Sequence, residues 1–311
     1  MISVKKNVLK NKTEYLLHSD SGDAQLLVFE LFSGIELSYN SVHMDSCRLD
    51  TESQGRVIEI RHCREGRAEQ EFDDGFYYLT KGDLSIAVRD SETREYNFPL
   101  RHYHGITISI HIDKAPECFS CFLEDVNVQP MAVAERLCAD KSYHILRNKQ
   151  YIEHLFSEMY SVPEEYEIGY LKIKVMELLL ILSRADTKSD VQSGRVLSST
   201  QVSLAKKAAE HIRNFPDVNF SVDSLAREFH ISETHLQNAF KGVYGVTVFS
   251  YLRIQKIHTA ALKLLHSDAP VIEIAGEVGY DNPSKFASAF KEIMGESPLD
   301  YRRAHGIYHK I

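Results

Sequence analysis

The feature that most constrains this sequence is a duplicated pattern in its last hundred residues. Four positions recur fifty residues later: Leu236, Phe240, Lys241 and Gly245 return as Phe286, Phe290, Lys291 and Gly295. Ala226 returns as Ala275, only forty-nine positions later, so the second copy holds one extra residue in its turn. Because a repeat defines the architecture of a chain, we expect two copies of one helical unit here.

Each copy has the pattern of a helix-turn-helix. The small side chains of Ala226 and Ala275 allow two helices to cross closely. Residues suited to begin the helices stand at the expected places: Ser221, Ser232, and Asp281 or Asn282 followed by Pro283. Apolar residues four positions apart fix one face of the second helix to the core, so the opposite face is free to enter a DNA major groove.

The two copies are separated by a helical pattern over Thr247–Leu265, with no helix breaker before Pro270. These residues, at about 1.5 Å each, make a rod of roughly 28 Å. That length approaches the ~34 Å between successive major-groove faces on one side of B-DNA. The spacing therefore predicts two recognition helices held in adjacent major-groove turns.

The same region resembles the AraC/XylS family of transcription regulators over about residues 200–304. The matching motifs are Ile274-Ala275, Val278-Gly279-Tyr280, Ser284-Lys285-Phe286, Ala289-Phe290-Lys291, Gly295-Glu296-Ser297-Pro298 and Tyr301-Arg302. The segment Gly279–Phe286, with Ala260-Ala261, is similar to the siderophore-responsive PchR-type branch. The resemblance implies a homodimeric, effector-controlled activator that binds double-stranded promoter DNA and recruits RNA polymerase, and that is not an enzyme.

The resemblance also places the residues that contact DNA. The base-reading positions fall on Thr234, Gln237 and Asn238 in the first unit and on Ser284, Lys285 and Ser288 in the second. Gln and Asn suit this role because either pairs bidentately with adenine. Lysines and arginines expected at the DNA backbone are Lys241, Lys291, Arg253, Lys256 and Arg302. For Arg302 the alternative is a bond to a helix C-terminus.

Two positions depart from the family pattern. Ser288 stands where family members often have arginine, which predicts weaker base readout by the second helix-turn-helix. His230 stands in a turn where the family prefers glycine, and the second helix-turn-helix has Gly279 at the equivalent position. A histidine there must adopt a less favourable backbone angle.

The first 125 residues or so have the pattern of short β-strands separated by turns, which predicts a small cupin-like barrel or sandwich. After Pro130 the spacing is helical over Tyr151–Tyr160 and Tyr166–Arg184, and the wide apolar stripe of the second stretch indicates either a dimer interface or an interior helix. The predicted fold class is thus α+β and multidomain. We expect a sensing and dimerisation domain over residues 1–185, a linker over 186–200 and a DNA-binding domain over 201–311.

Charge is unevenly distributed along the chain, whose formal net charge is −8. Residues 199–311 hold 13 Lys/Arg and 12 Asp/Glu, or +1, which leaves 23 basic and 32 acidic side chains, or −9, in the remainder. DNA binding is still compatible with this balance, because only the face toward the phosphates must be positive.

The apolar runs are too short for a membrane span, no secretory leader is recognisable, and the cysteines number five. We therefore expect a cytoplasmic protein with reduced thiols and no membrane partner.

Basic side chains in the β-region suggest a pocket for an anionic or metal-chelating small molecule, and the alternative is a solvated strand face. The candidate ligand-binding residues are Arg61, Arg101, His102 and His104.

A zinc site built from these histidines with His111, Cys118 and Cys121 is not predicted, since one closely spaced cysteine pair is a weak signal. A cupin metal site needs a glutamate soon after the two histidines, and residues 105–110 contain none. We therefore predict no metal, cofactor or catalytic residue. The rival functions are a regulator without an effector and a cupin enzyme with a DNA-binding tail.

Overall fold

The computed structural model describes residues 3–19, 21–49, 55–72, 74–90, 94–116, 128–139, 143–147, 149–185, 196–215, 218 and 220–305. It divides into two compact units, Met1–Val196 and Leu197–Ile311. Residues 186–195 of the predicted linker, and both Cys118 and Cys121, lie outside the described residues.

The first unit is an antiparallel β half-barrel. Its strands are β1 (Ser3–Val8), β2 (Thr13–Ser19), β3 (Gly22–Phe32), β4 (Ile35–His43), β5 (Ser46–Leu49), β6 (Arg56–Phe72), β7 (Gly75–Thr80), β8 (Leu84–Asp90), β9 (Arg94–Asn97), β10 (Tyr103–His111) and β11 (Tyr143–Leu146). The sheet runs in the order β1-β2-β3-β4-β10-β6-β8-β11, while β7 pairs with the second half of β6, and β5 pairs with β9. The predicted β-rich fold of this half is confirmed.

Helices cover one face of this sheet: α1 (Pro130–Leu137), α2 (Gln150–Met159) and α3 (Glu167–Arg184). The alternation along β10 explains this packing, because Ile106, Ile108 and Ile110 project to one face and are buried among the helices. The predicted apolar stripe of α3 is buried there as well, but Ile173 and Leu180 of the same helix are 65% and 39% exposed. No helix in the described part of the chain is both long and apolar enough to cross a bilayer.

The second unit is all helical: α4 (Ser199–Asn214), α5 (Val222–Glu228), α6 (Glu233–Tyr244), α7 (Val248–His266), α8 (Val271–Glu277), α9 (Pro283–Met294) and α10 (Pro298–His305). The predicted duplication is confirmed, since α5 and α8 each have 7 residues and α6 and α9 each have 12. The first pair begins forty-nine positions apart and the second pair fifty, so the extra residue lies between Tyr280 and Asn282.

The predicted helix caps explain where the recognition helices begin and end. The Ser232 hydroxyl accepts the His235 backbone N–H at 3.2 Å, and the Asn282 side chain accepts two backbone N–H groups at 2.9 and 3.1 Å. Of the two candidate N-caps of α9, Asn282 is therefore the one used. Both helices end at a glycine in the left-handed conformation, Gly245 at φ 75° and Gly295 at φ 84°. Each cap contributes about 1 kcal/mol to the helix that it begins.

The two turns also share one geometry. His230 has φ 54° and Gly279 has φ 79°, so the predicted unfavourable backbone angle of the histidine is confirmed. In each turn the backbone N–H of the following residue donates a hydrogen bond of 2.9 Å to the carbonyl of the small residue. Ile231 donates to Ala226 in the first turn, and Tyr280 donates to Ala275 in the second. The turn therefore forms in the same way with either residue, at a strain cost of about 1 kcal/mol for the histidine.

Candidate functional site

The helices α6 and α9 present equivalent faces to solvent. In each helix the same three positions are fully buried, Leu236, Ala239 and Phe240 in α6 and Phe286, Ala289 and Phe290 in α9. This burial fixes the rotation of each helix about its axis, because the apolar positions lie on one side of it. The opposite side of each helix is therefore held outward in the same orientation relative to its own core.

The predicted base-reading residues lie on these outward faces. Exposed residues are Thr234 and Asn238 in α6 and Ser284, Lys285 and Ser288 in α9, while Gln237 is half-buried. The fifty-residue offset pairs Lys285 with His235, which is also exposed and was missed by the sequence reasoning. The same offset pairs Gln237 with Ala287, whose methyl group has no hydrogen-bonding capacity. The two faces thus have the same shape but different chemistry.

The first half of α7 is clamped to the first helix-turn-helix. Tyr251 is buried between two aromatic rings of α6, with centroid distances of 5.1 Å to Phe240 and 4.9 Å to Tyr244. Its hydroxyl accepts a hydrogen bond of 3.2 Å from Arg213 on α4. The aromatic packing and this bond together fix α7 relative to α6.

The second half of α7 is clamped to the second helix-turn-helix. Ile257, Ala260, Ala261 and Leu264 are buried in one core with Ile274, Phe286 and Phe290. Lys263 forms an ion pair with Glu277 of α8, and Arg253 forms one with Glu292 of α9. One continuous helix of 19 residues, about 28 Å long, therefore carries both recognition helices.

The predicted backbone contacts fall into two groups. Lys241 and Lys291 are exposed one turn beyond the base-reading positions of α6 and α9. The others are engaged within the unit: Arg253 pairs with Glu292, which raises the pKa of its guanidinium, and Arg302 donates to the Ala269 carbonyl at 2.6 Å. Lys256 is half-buried on α7. The bond of Arg302 joins α10 to the turn before α8, so a role in the fold is already evident for this side chain.

The first unit contains a cavity of about 390 Å³ on the helix-covered side of its sheet. Its polar lining includes Gln25, Tyr39, Arg64, Glu65, His104 and Tyr160. The buried Tyr160 hydroxyl has no hydrogen-bond partner among the described residues. The Arg64 guanidinium lies over the Tyr160 ring at 4.4 Å. The cavity therefore offers charged and neutral donors within a volume that suits a small molecule.

The predicted ligand-binding residues do not all meet at this cavity. His104 lines it, and His102 directly precedes β10 with its ring beside that of His104. Arg61 is buried on the opposite face of the sheet, where it pairs with Glu59 at 3.1 Å and lies 4.2 Å from the Tyr96 ring centroid. Burial lowers the pKa of Arg61, but the Glu59 carboxylate together with Tyr96 and Tyr103 more than offsets this effect, and the net pKa is raised. Arg61 therefore packs inside the half-barrel and does not line the cavity.

Arg101 and His111 also lie outside the lining of the cavity. Arg101 has φ 55°, is exposed, and pairs with Asp45 at 3.4 Å. His111 lies at the far end of β10, about 23 Å from His104 at the rise of an extended strand. His43 of β4, which the sequence reasoning did not single out, lies beside His102 and His104 with ring centroids 5.2 and 5.1 Å away.

A buried histidine also lies next to the cavity. His62 of β6 stacks on Phe156 of α2 with a centroid distance of 4.1 Å, and neither ring nitrogen has a hydrogen-bond partner among the described residues. Burial lowers the pKa of this imidazole to about 4. His62 is therefore neutral at physiological pH and packs as an aromatic ring.

Comparison with known proteins agrees with the duplicated unit. A helix-turn-helix domain profile matches residues 225–304. The Right origin-binding protein of Escherichia coli is 32% identical over 88 residues, which are 28% of this chain and 30% of that protein. The HTH-type transcriptional activator AarP of Providencia stuartii is 32% identical over 91 residues, 29% of this chain and 67% of that protein. The chain belongs to the AraC/XylS family. Its match covers about a third of the first of these relatives.

The matched helix-turn-helix domain profile lies within the second unit. A solved structure, the C-terminal domain of AraT, a response regulator from Geobacillus stearothermophilus, is 31% identical, with 35% of this chain and 90% of that chain covered and a TM-score of 0.33. The AraC/XylS relatives matched here are transcription regulators rather than enzymes.

Proposed function

We propose that this protein is a sequence-specific DNA-binding transcription regulator that inserts α6 and α9 into consecutive major grooves of promoter DNA. The observation that carries this proposal is the clamping of both recognition helices to the single helix α7. A helix fits the major groove, and the rod length of about 28 Å approaches the ~34 Å repeat of the duplex. The name of the relative AarP, a transcriptional activator, supports the same function.

The division of labour on DNA follows from the exposed side chains. Gln237 and Asn238 supply amide pairs that match adenine, so the first helix-turn-helix carries most of the base readout. The second helix-turn-helix has serines and one lysine at its predicted base-reading positions, and it mainly sets register through phosphate contacts. The near-neutral charge of this half predicts modest non-specific affinity, because few phosphates are neutralised.

The first unit is the regulatory half in this proposal. An anionic or metal-chelating effector binds in the cavity of about 390 Å³ beside Arg64 and His104. It shifts the regulator toward one of two arrangements by binding that arrangement more tightly. The partly exposed apolar side of α3, with Ile173 and Leu180, is the homodimer contact. The regulator then activates transcription by recruiting RNA polymerase, and its effector class resembles that of the PchR-type branch.

The base-reading role is tested by changing Gln237 and Asn238 together to alanine. Operator DNA is first selected from random sequence with the full chain, and affinity is then measured for this operator and for scrambled DNA at one salt concentration. The double variant should lose about 1–3 kcal/mol of operator affinity per bidentate pair, with little change on scrambled DNA. Equal losses on both DNAs would show that the two side chains contact phosphate and do not read bases.

A further inference from the structure

Three histidines of the first unit meet at one end of the paired interior strands β4 and β10. His43 is the last residue of β4, and His102 and His104 flank Tyr103 at the start of β10. One ring nitrogen from each histidine lies within 4.8 Å of those of the other two. The rings of His102 and His104 have centroids 4.7 Å apart. Three nitrogen ligands therefore surround one point.

The pairing of the strands explains why these side chains converge. Tyr103 of β10 pairs with Val42 of β4 in an antiparallel register, so the next position brings His102 opposite His43. Side chains two positions apart in a strand project to the same face, so His104 joins them. His43 and His104 are thus placed by the paired strands β4 and β10, and His102 directly precedes β10.

The chemistry of the three side chains suits a transition metal. Neutral imidazole is a ligand for zinc, copper, iron and nickel. Nitrogens in a tetrahedral zinc site are about 3.4 Å apart, given Zn–N bonds of about 2.0–2.1 Å. Small side-chain rotations therefore suffice to close the site.

The charges around the histidines are compatible with a cation. Glu65 of β6 lies with a carboxylate oxygen 3.6 Å from Nε2 of His102, and Asp23 of β3 pairs with His43 in the register of the sheet. A carboxylate that holds a ligating histidine is the usual outer partner in metal sites. Of the nearby positive groups, Arg101 pairs with Asp45, and Arg64 lies over the Tyr160 ring and retains its charge in the cavity.

We propose that His43, His102 and His104 bind one divalent first-row transition-metal ion of the zinc class, with Glu65 orienting His102. Three histidines leave a fourth coordination position for an exchangeable ligand, as in zinc sites with an open position. His104 and Glu65 also line the cavity of about 390 Å³, so that position faces the space in which a small molecule would bind. The first unit would then recognise a ligand through a bound metal ion.

The proposal is tested on the full chain after treatment with a chelator. Zn²⁺ binding is measured by competition with a chromophoric chelator for the wild type and for the variants His43→Ala and His104→Ala. We expect one bound equivalent in the wild type and an affinity more than about 100-fold lower in either variant, because outer-shell changes alone weaken binding about 10–100-fold. The variant Glu65→Gln should fall within that outer-shell range.

The matched control is His154→Ala, since His154 lies on α2 and its side chain is 76% exposed. This variant should bind Zn²⁺ like the wild type, and all variants should show the same circular dichroism and thermal midpoint without metal. Co²⁺ in place of Zn²⁺ should give the intense visible absorption of a tetrahedral site. No bound equivalent in the wild type, equal binding by His43→Ala and His104→Ala, or an octahedral Co²⁺ spectrum would each overturn the proposal. DNA binding is not used in any of these measurements, so the proposed function can fail or stand separately.

Discussion

Inserting one alanine between Leu252 and Arg253 should separate the two recognition helices without unfolding either helix-turn-helix. The insertion lies after Tyr251, which anchors α7 to the first helix-turn-helix, and before Arg253, which pairs with Glu292 in the second. One extra residue rotates everything beyond it by about 100° and advances it by about 1.5 Å. The cores on either side keep all their contacts, so the thermal midpoint should change little.

The magnitude of the displacement follows from the packing distance of helices. With α9 about 10 Å from the axis of α7, a rotation of about 100° moves it by roughly 15 Å. The major groove is only about 12 Å wide, so α9 can no longer enter the groove next to the one that holds α6. Specific binding should fall by about 3 kcal/mol, or roughly 100-fold, equivalent to losing one or two base contacts.

The assay is a titration of operator DNA with the full chain, followed by a footprint on the same fragment. The matched control is Gln255→Ala, which changes a half-buried side chain of α7 without altering its helical register. The insertion should remove protection over one of the two grooves, and the control should retain both. An insertion variant with wild-type affinity and footprint would refute the claim that α7 holds the two helix-turn-helix motifs in register.

Three other perturbations test separate parts of the account. His230→Gly should raise the free energy of unfolding by about 1 kcal/mol in denaturant titration, since glycine adopts φ 54° without strain, whereas Gly279→Ala should lower it. His62 has a pKa of about 4 when folded and about 6.5 when unfolded, so the unfolded chain binds a proton first as the pH falls. The free energy of unfolding of the wild type should therefore be fully retained above pH 6.5 and be about 3 kcal/mol lower at pH 4. The variant His62→Phe should lack this part of the pH dependence, and an unchanged profile would refute the assignment. Lys291→Gln should reduce the salt slope of DNA binding by about one, while Lys207→Gln on α4 should leave it unaltered.

The second unit could be predicted from the sequence in detail because its determinants are local. Caps act within three residues, the small residue at a helix crossing is visible as Ala226 or Ala275, and the repeat supplies each observation twice. The offset of fifty would also have identified His235, had it been applied at every position. The choice between Asp281 and Asn282 as cap depends on backbone angles near the turn and needed the structure.

The first unit could be predicted only as a class of fold because its determinants are distant in sequence. His43 lies almost sixty residues before His102, and only the pairing of β4 with β10 brings them together. A register shift between His104 and Gly105 likewise places Glu65 opposite His104. The same alternation that turns His104 toward the helix-covered side turns Arg61 toward the opposite face, and composition does not reveal which strand face a basic residue occupies.

The central claim is that one chain contacts two consecutive major grooves through a duplicated helical unit on a single rod. Hydroxyl-radical and methylation footprinting on a selected operator measures this directly. The account predicts, for each subunit, protection of two major-groove faces about one helical turn, or ~10 base pairs, apart on the same side of the duplex. Protection confined to a single turn per subunit, with α6 and α9 both intact, would contradict it.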